Sequence, residues 1–174
     1  TIGGNVGSAS PIGDTLPVLF AYKAKVILQS SKSERELDIE DFIMGYRKTD
    51  LKPDELITSV FIPKPEKDVI IKSFKISKRK DLDISTVSLT SRLVLEKGKV
   101  KEIILAFGGM AETPKRAGIT EELLMGKEWN RENIESAMKV LYKEFKPISD
   151  ARASAEFRKV AARNLLMKFY LESK

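Results

Sequence analysis

Apolar and polar positions divide this chain into short strand-like runs, then a stretch of strict alternation, then helical stripes. Leu16, Val18, Leu19 and Phe20 recur between Asp14 and Ala24 around Pro17, which suits a short helix with proline in its first turn. KVILQS (25–30) and RELDI (35–39) read as two strands joined by a polar turn. Residues 39–44 suit a helical turn closed by Gly45, and 46–53 a polar loop. Residues 55–62 read as a strand stopped by Pro63 and Pro65. Residues 63–68, proline-rich and charged with no apolar period, are the best boundary between two units.

Beyond that boundary the pattern restarts. Residues 69–77 read as a strand. Val87, Leu89, Leu93 and Leu95 then hold odd positions, with Ser88, Thr90 and Arg92 between them, which predicts a half-buried strand. Lys97-Gly98 suits a two-residue hairpin turn, and residues 100–107 return to end at Gly108-Gly109. The remainder is helical. Thr120 is placed as the cap of a short helix and Asn130 as the cap of the next, which carries Ile134, Met138, Leu141 and Phe145 on one face and stops at Pro147. Asp150 or Ser149 would cap a last helix with a core stripe of Phe157, Val160, Ala161, Leu165 and Phe169. The class is α+β, with a three-stranded antiparallel sheet and three helices after the boundary.

Composition narrows the chemistry. The 174 residues are 42% hydrophobic and 32% charged, a globular balance. There is no cysteine, so disulfides, thiolate metal sites and cysteine-held iron–sulfur clusters are excluded within this chain, and a reducing, cytoplasmic setting fits. There is no histidine, so a Ser-His-Asp triad and histidine acid–base or metal chemistry are excluded too. Reactivity must come from a bound cofactor or from carboxylates, lysine, tyrosine and backbone. The net charge of +6 invites nucleic acid, but Lys and Arg interleave with Asp and Glu, as on a solvated face, and no nucleic-acid partner is expected. No apolar run approaches the roughly 18 residues of a membrane helix, and no membrane partner is expected.

Three stretches carry candidate chemistry, each with two readings. TIGGNVGSASPIGD (1–14) offers Gly3 and Gly4 for close backbone approach, donors from Thr1, Asn5 and Ser8, and an acceptor at Asp14. From spacing alone it suits a turn-rich segment with glycine for flexibility better than it suits phosphate binding. FKISKRKDLD (74–83) suits a nearby anion or an exposed charged turn. Gly108-Gly109-Met110 suits close backbone contact or tight packing at a strand end.

Taken together and in order, the motifs resemble the FAD-binding subunit or middle domain of xanthine dehydrogenase and the wider molybdenum hydroxylase family. Residues 1–14 are similar to the family's second FAD loop, with its TIGGN or SLGGN start and ASPISD end. GYRKTDLKPDELI (45–57) resembles the segment before the family's linker, and FKISKRKDLDIS (74–85) matches its FKxSxRxxxDIA pattern. AFGGMAETPKRA (106–117) and ISDARASAEFR (148–158) are similar to the xanthine dehydrogenase branch. The resemblance implies the second lobe of a PCMH-type FAD domain over 1–62, a linker at 63–68 and a C-terminal flavoprotein domain over 69–174.

The resemblance also implies roles. Electrons would pass from a molybdenum cofactor through two-iron iron–sulfur clusters to FAD and on to NAD. The molybdenum-binding large subunit and the iron–sulfur domain or subunit would be partners. Gly3, Gly4, Asn5 and Ser8, with Thr1 beside them, would bind the FAD pyrophosphate. Asp14 would contact the adenosine ribose, Ile57 would pack near the flavin ring, Lys75 would lie at the flavin edge, and residues 79–83 would form a mobile loop beside it. No residue is assigned a catalytic or metal-binding role. The family's ASPISD reads ASPIGD here, one hydroxyl fewer near Asp14. The family's first phosphate loop precedes the TIGGN motif, so the chain is expected to be a C-terminal fragment that holds FAD weakly and is inactive by itself, with residues 1–14 poorly ordered or displaced. Two alternatives stay open: a subunit-docking module, and the FAD subunit of an aldehyde, carbon monoxide or nicotinate type of molybdenum hydroxylase.

Overall fold

A computed structural model describes all residues 1–174. The opening segment, read as a loop, is in part a helix, α1 (Ile2–Gly7). Glycine disfavours helix, but the Thr1 hydroxyl caps the first turn by accepting from the Gly4 N–H at 3.0 Å. Val6 is wholly buried, so the turn is also held by packing. Helix α2 (Thr15–Ala21) follows with Pro17 in its first turn. Strands β1 (Lys25–Gln29) and β2 (Glu34–Asp38) pair antiparallel, Lys25 opposite Asp38. One helical turn, α3 (Ile39–Phe42), leads into β3 (Ile43–Gly45), which pairs with β4 (Lys48–Thr49) in a small hairpin where the sequence suggested the end of a helical turn and a loop. Strand β5 (Leu56–Phe61) pairs with the other side of β1, completing a β2-β1-β5 sheet.

Residues 62–66 carry no regular element, and a turn at 67–68 enters the second sheet. That sheet is an antiparallel meander of β6 (Val69–Ile76), β7 (Val87–Glu96), β8 (Lys99–Gly108) and β9 (Lys115–Arg116). It has four strands, not three, because β9 is two residues long and shows no period. Lys97 and Gly98 turn between β7 and β8 with φ of 51° and 79°, the pair of positive values a type I′ turn requires.

Helices α4 (Gly118–Leu124), α5 (Arg131–Glu144) and α6 (Ala155–Glu172) cover one face of this sheet. Asn130 caps α5, accepting from the Asn133 N–H at 3.0 Å. The other two cap expectations are corrected. Thr120 lies inside α4 and its hydroxyl donates to Glu144 at 2.6 Å. Ser154 is the N-cap of α6, accepting from the Phe157 N–H at 3.1 Å, while Ser149, further upstream, accepts from the Ala155 N–H at 2.8 Å and the Asp150 carboxylate is taken by Arg158. Of the α6 stripe, Ala161, Leu165 and Phe169 are buried, whereas Phe157, in the first turn, is half-exposed.

The half-burial expected for β7 is also corrected. Val87 and Leu89 are buried, but so are Ser88, Thr90 and Ser91. For Ser88 and Thr90 the cause is α2, which crosses β7 and β8 on the face opposite the three helices, whereas Ser91 shares the helix-covered face with Leu89 and Leu93. Along β8, Ile103, Leu105 and Phe107 belong to one core, and Ile104 and Ala106 belong to the other, with Leu16, Leu19, Phe20, Val26 and Phe42. The period-2 alternation thus feeds both units from one strand. Ion pairs reinforce the joint: Lys23 with Glu102 at 3.0 Å, and Arg116 with both Glu40 at 3.2 Å and Glu121 at 2.6 Å. Burial holds the Glu121 carboxyl above its ordinary range despite that arginine.

Ile104→Ala is expected to cost roughly 2–5 kcal/mol, as for other buried aliphatic truncations. Hydrogen exchange should then quicken in β1 and α2 as well as in the second sheet. Loss of protection confined to the second sheet would contradict a shared core.

Candidate functional site

All three candidate stretches meet at one end of the shared face. The second of them supplies Lys75, at the end of β6 opposite Ser88. Its ammonium donates to Asp14 Oδ2 at 2.7 Å and to the Asp83 carbonyl at 2.6 Å. An ammonium has three N–H donors, so one remains for a ligand, and the pair is reachable, with the lysine side chain 39% and the aspartate 49% exposed. Asp14 also accepts from the Ser85 hydroxyl.

The loop 77–86 that carries Asp83 and Ser85 is stapled from within. The Asp83 carboxylate accepts from the Arg79 N–H at 2.9 Å and the Ile84 N–H at 3.0 Å, and these bonds, Arg79 first, hold its pKa below the ordinary value against the cost of burial. Leu82, at φ 51°, stands fully exposed at the tip.

The third stretch is read by the structure as close backbone contact. The Gly109 N–H donates to the Pro11 carbonyl at 2.8 Å. A Cβ at Gly109, whose φ is +78°, would overlap the Thr86 carbonyl oxygen, and one at Gly108 would overlap the Ser88 hydroxyl. The edge must therefore be glycine for residues 10–17 and 86–88 to close on it.

The opening stretch docks on β5. Gly3 and Gly7 face Ile57, which a Cβ on either would meet at 3.8 and 3.4 Å. Thr1, Ile2 and Gly3 line a cleft with Ile57, Thr58 and Val60. Within α1 the N–H groups of Ile2 and Gly3 have no carbonyl a turn behind them. The Ser8 hydroxyl donates to the Asn5 carbonyl at 2.8 Å, and the Asn5 amide oxygen accepts from Thr15, which leaves the Asn5 amide N–H pair uncommitted. The free donors thus lie at Thr1 to Asn5, while the exposed Ser8 spends its hydroxyl proton on the Asn5 carbonyl.

Ile57 is held by the start of β5. Arg35 grips Glu55 through Nε at 2.7 Å and Nη2 at 2.8 Å, and Asp50 through Nη1 at 2.6 Å. The Lys52 N–H adds a bond to Glu55 at 2.9 Å. The Arg35 guanidinium lowers the Glu55 carboxyl from 4.5 to about 2.

The structure therefore brings together Asp14, Lys75 and, through Pro11 and Gly13, the opening segment; Ile57 lies beneath α1. Two residues were missed. Ser85 stands where the family pattern has alanine, DIS for DIA, and restores beside Asp14 the hydroxyl that Gly13 lacks. Arg158, which ends the ISDARASAEFR motif, is buried against Thr86 and Gly109.

This donor set fits a dinucleotide cofactor with an anionic middle and a flat ring: unpaired backbone N–H groups, amide donors, one free ammonium N–H and an apolar side chain.

Comparison with known proteins agrees. Residues 1–65 match the FAD binding domain in molybdopterin dehydrogenase, and residues 72–173 match the CO dehydrogenase flavoprotein C-terminal domain. The chain is similar to xanthine dehydrogenase 1 of Arabidopsis thaliana, 36% identical over 98% of this chain and 13% of that protein. It is also similar to a nicotinate hydroxylase of Emericella nidulans, 36% identical over 97% of this chain and 13% of that protein. Among solved structures it is similar to a Cu,Mo-CO dehydrogenase chain, with a TM-score of 0.89 and 25% identity over 100% of this chain and 62% of that one. The chain spans about an eighth of the length of these curated relatives.

The Arg35–Glu55 pair gives a pH signature. Its folded pKa lies below the unfolded value, so Glu55 contributes stability above pH 4.5 that fades as pH falls towards about 2. Denaturant titrations of the protein and of Glu55→Gln should show the parent more stable at neutral pH, the gap closing between pH 4.5 and 2. A gap independent of pH would contradict the pairing.

Proposed function

The chain belongs to the family of FAD-binding domains of molybdopterin dehydrogenases, and from that premise we propose that it forms part of the FAD-carrying portion of a xanthine dehydrogenase-like oxidoreductase. In this reading electrons arrive from two-iron clusters and leave to NAD. The molybdenum cofactor and the clusters sit on partner domains or subunits, and the assembly works in the cytoplasm. Residues 1–62 and 69–174 are its two units, with 63–68 the link. No helix is long and apolar enough to cross a membrane.

FAD, when bound, supplies reversible two-electron chemistry. Thr1, Gly3 and Asn5 bind its pyrophosphate with backbone and side-chain donors, Gly4, whose N–H goes to the Thr1 hydroxyl, leaves room for its close approach, and Ser8 supports them by closing the α1 turn. Ile57 gives an apolar wall to the ring. Lys75 places a fixed positive charge at the flavin edge, which favours added electron density there.

The ion pair changes the reading of Asp14. The opposite ends of an extended dinucleotide cannot both meet one lysine–aspartate contact, and Asp14 touches Lys75. We therefore assign Asp14 to the flavin end, where it orients the Lys75 ammonium and leaves its third N–H for the ring. The observation that carries the proposal is this convergence of Asp14, Lys75 and Ser85 beside the opening segment.

The protein in its natural assembly should carry FAD, seen in its visible absorption. Lys75→Met should keep the flavin but lower its midpoint potential by on the order of 30 mV, equivalent to one charge-assisted hydrogen bond of about 1.4 kcal/mol. A potential unchanged in Lys75→Met would overturn the site, and an assembly without flavin would overturn the function.

A further inference from the structure

Arg158, in the first turn of α6, is 2% exposed. Its Nη1 donates to the Thr86 carbonyl and, at 3.1 Å, to the Gly109 carbonyl. Its Nη2 donates to both Asp150 carboxylate oxygens at 2.9 Å, and Nε is buried without a partner. Taking a guanidinium out of water is costly, and a well-packed apolar side chain of similar volume is often as stable in its place. An unpaired Nε adds to that cost. Stability is thus a poor account of this arginine. Its geometry is a better one, because a rigid planar fork fixes the spacing of the groups it reaches.

Each carbonyl it holds lies beside a group of the candidate site. Thr86 follows Ser85, whose hydroxyl donates to Asp14. The Thr86 N–H donates to the Ile76 carbonyl at 2.7 Å, one residue past Lys75. Gly109 donates its N–H to Pro11 at 2.8 Å and so holds the opening segment at its middle. The third anchor is firm as well: Asp150 accepts from the Arg152 and Ala153 N–H groups at 2.9 and 3.1 Å, which fixes the carboxylate that Nη2 grips.

We propose that Arg158 is a positioning residue for the flavin site: by clamping the Thr86 and Gly109 carbonyls it sets where Ser85 and Pro11 stand, and through them where the Asp14–Lys75 pair meets the flavin edge. This rests on the flavin reading above. Arg158 itself touches neither member of the pair.

The test uses the FAD-loaded natural assembly with Arg158→Met, Arg158→Lys, Asp150→Asn and Lys75→Met. The readouts are FAD affinity, flavin midpoint potential and thermal midpoint. Arg158→Met should fold, bind FAD about tenfold more weakly, the worth of one charged hydrogen bond, and shift the potential in the same direction as Lys75→Met. Arg158→Lys keeps the charge but not the fork, and should leave the potential shifted. A potential fully restored by lysine would mean that charge at a distance, not position, matters, and would overturn the proposal. So would a folded Arg158→Met with the parent's affinity and potential. If Arg158→Met does not fold, Asp150→Asn, which frees only Nη2, should show a smaller shift of the same sign, and no shift there overturns the role. An unchanged potential in Lys75→Met removes the flavin reading and this proposal with it; a shift there with none in Arg158→Met removes the positioning role alone.

Discussion

The two faces of β8 are the constraint on which the rest of this molecule depends. Ile103, Leu105 and Phe107 pack under α4, α5 and α6, while Ile104 and Ala106 complete the core of the first unit beneath α2. A strand buried on both faces cannot slip by one residue without exposing one core and overfilling the other. Its register is therefore fixed, and so is the position of its last residues, Gly108 and Gly109. Because α2 lies on this strand, the opening segment that leads into α2 is carried to the same place. The two units are joined by burial first and by the Lys23–Glu102 and Arg116–Glu40 pairs second. Those pairs are partly exposed, where ion pairs contribute little.

The candidate site is a consequence of that joint. Asp14 comes from the first unit and Lys75 and Ser85 from the second, yet they form one cluster because Pro11 and Pro17 close on the glycine edge of β8. Neither unit holds the cluster alone. The family match makes this chain part of an FAD-binding domain, and the ammonium N–H left free on Lys75 gives the proposed flavin edge a specific donor. Where the joint sets the coarse position, the Arg158 fork ties the fine one.

Much of this was legible in the sequence. Strands β1, β2, β5, β6, β7 and β8 were read from alternation and from their glycine and proline stops, and Asn130 was read as a cap. What escaped had no period to read. Strands β4 and β9 are two residues long. The burial of Ser88 and Thr90 comes from α2, far away in sequence, which no local pattern announces. Thr120 is a good cap by type, but its hydroxyl is claimed by the half-buried Glu144 carboxylate. The opening glycines read as loop because their low helix propensity is offset only by the Thr1 cap and the docking of Val6. Of the site, the resemblance supplied the residues and the structure supplied their grouping. It joined Asp14 to Lys75, the contact on which the proposed flavin-end role of Asp14 rests, and added Ser85 and Arg158, the last letters of two of the motifs.

The most direct measurement is an experimental structure of the natural assembly with FAD bound. The account predicts the Lys75 ammonium at hydrogen-bond distance, about 2.9 Å, from the flavin ring. It also predicts Asp14 still on that lysine and the pyrophosphate against the first turn of α1. A flavin bound with Lys75 and Asp14 on a surface away from its ring would contradict it.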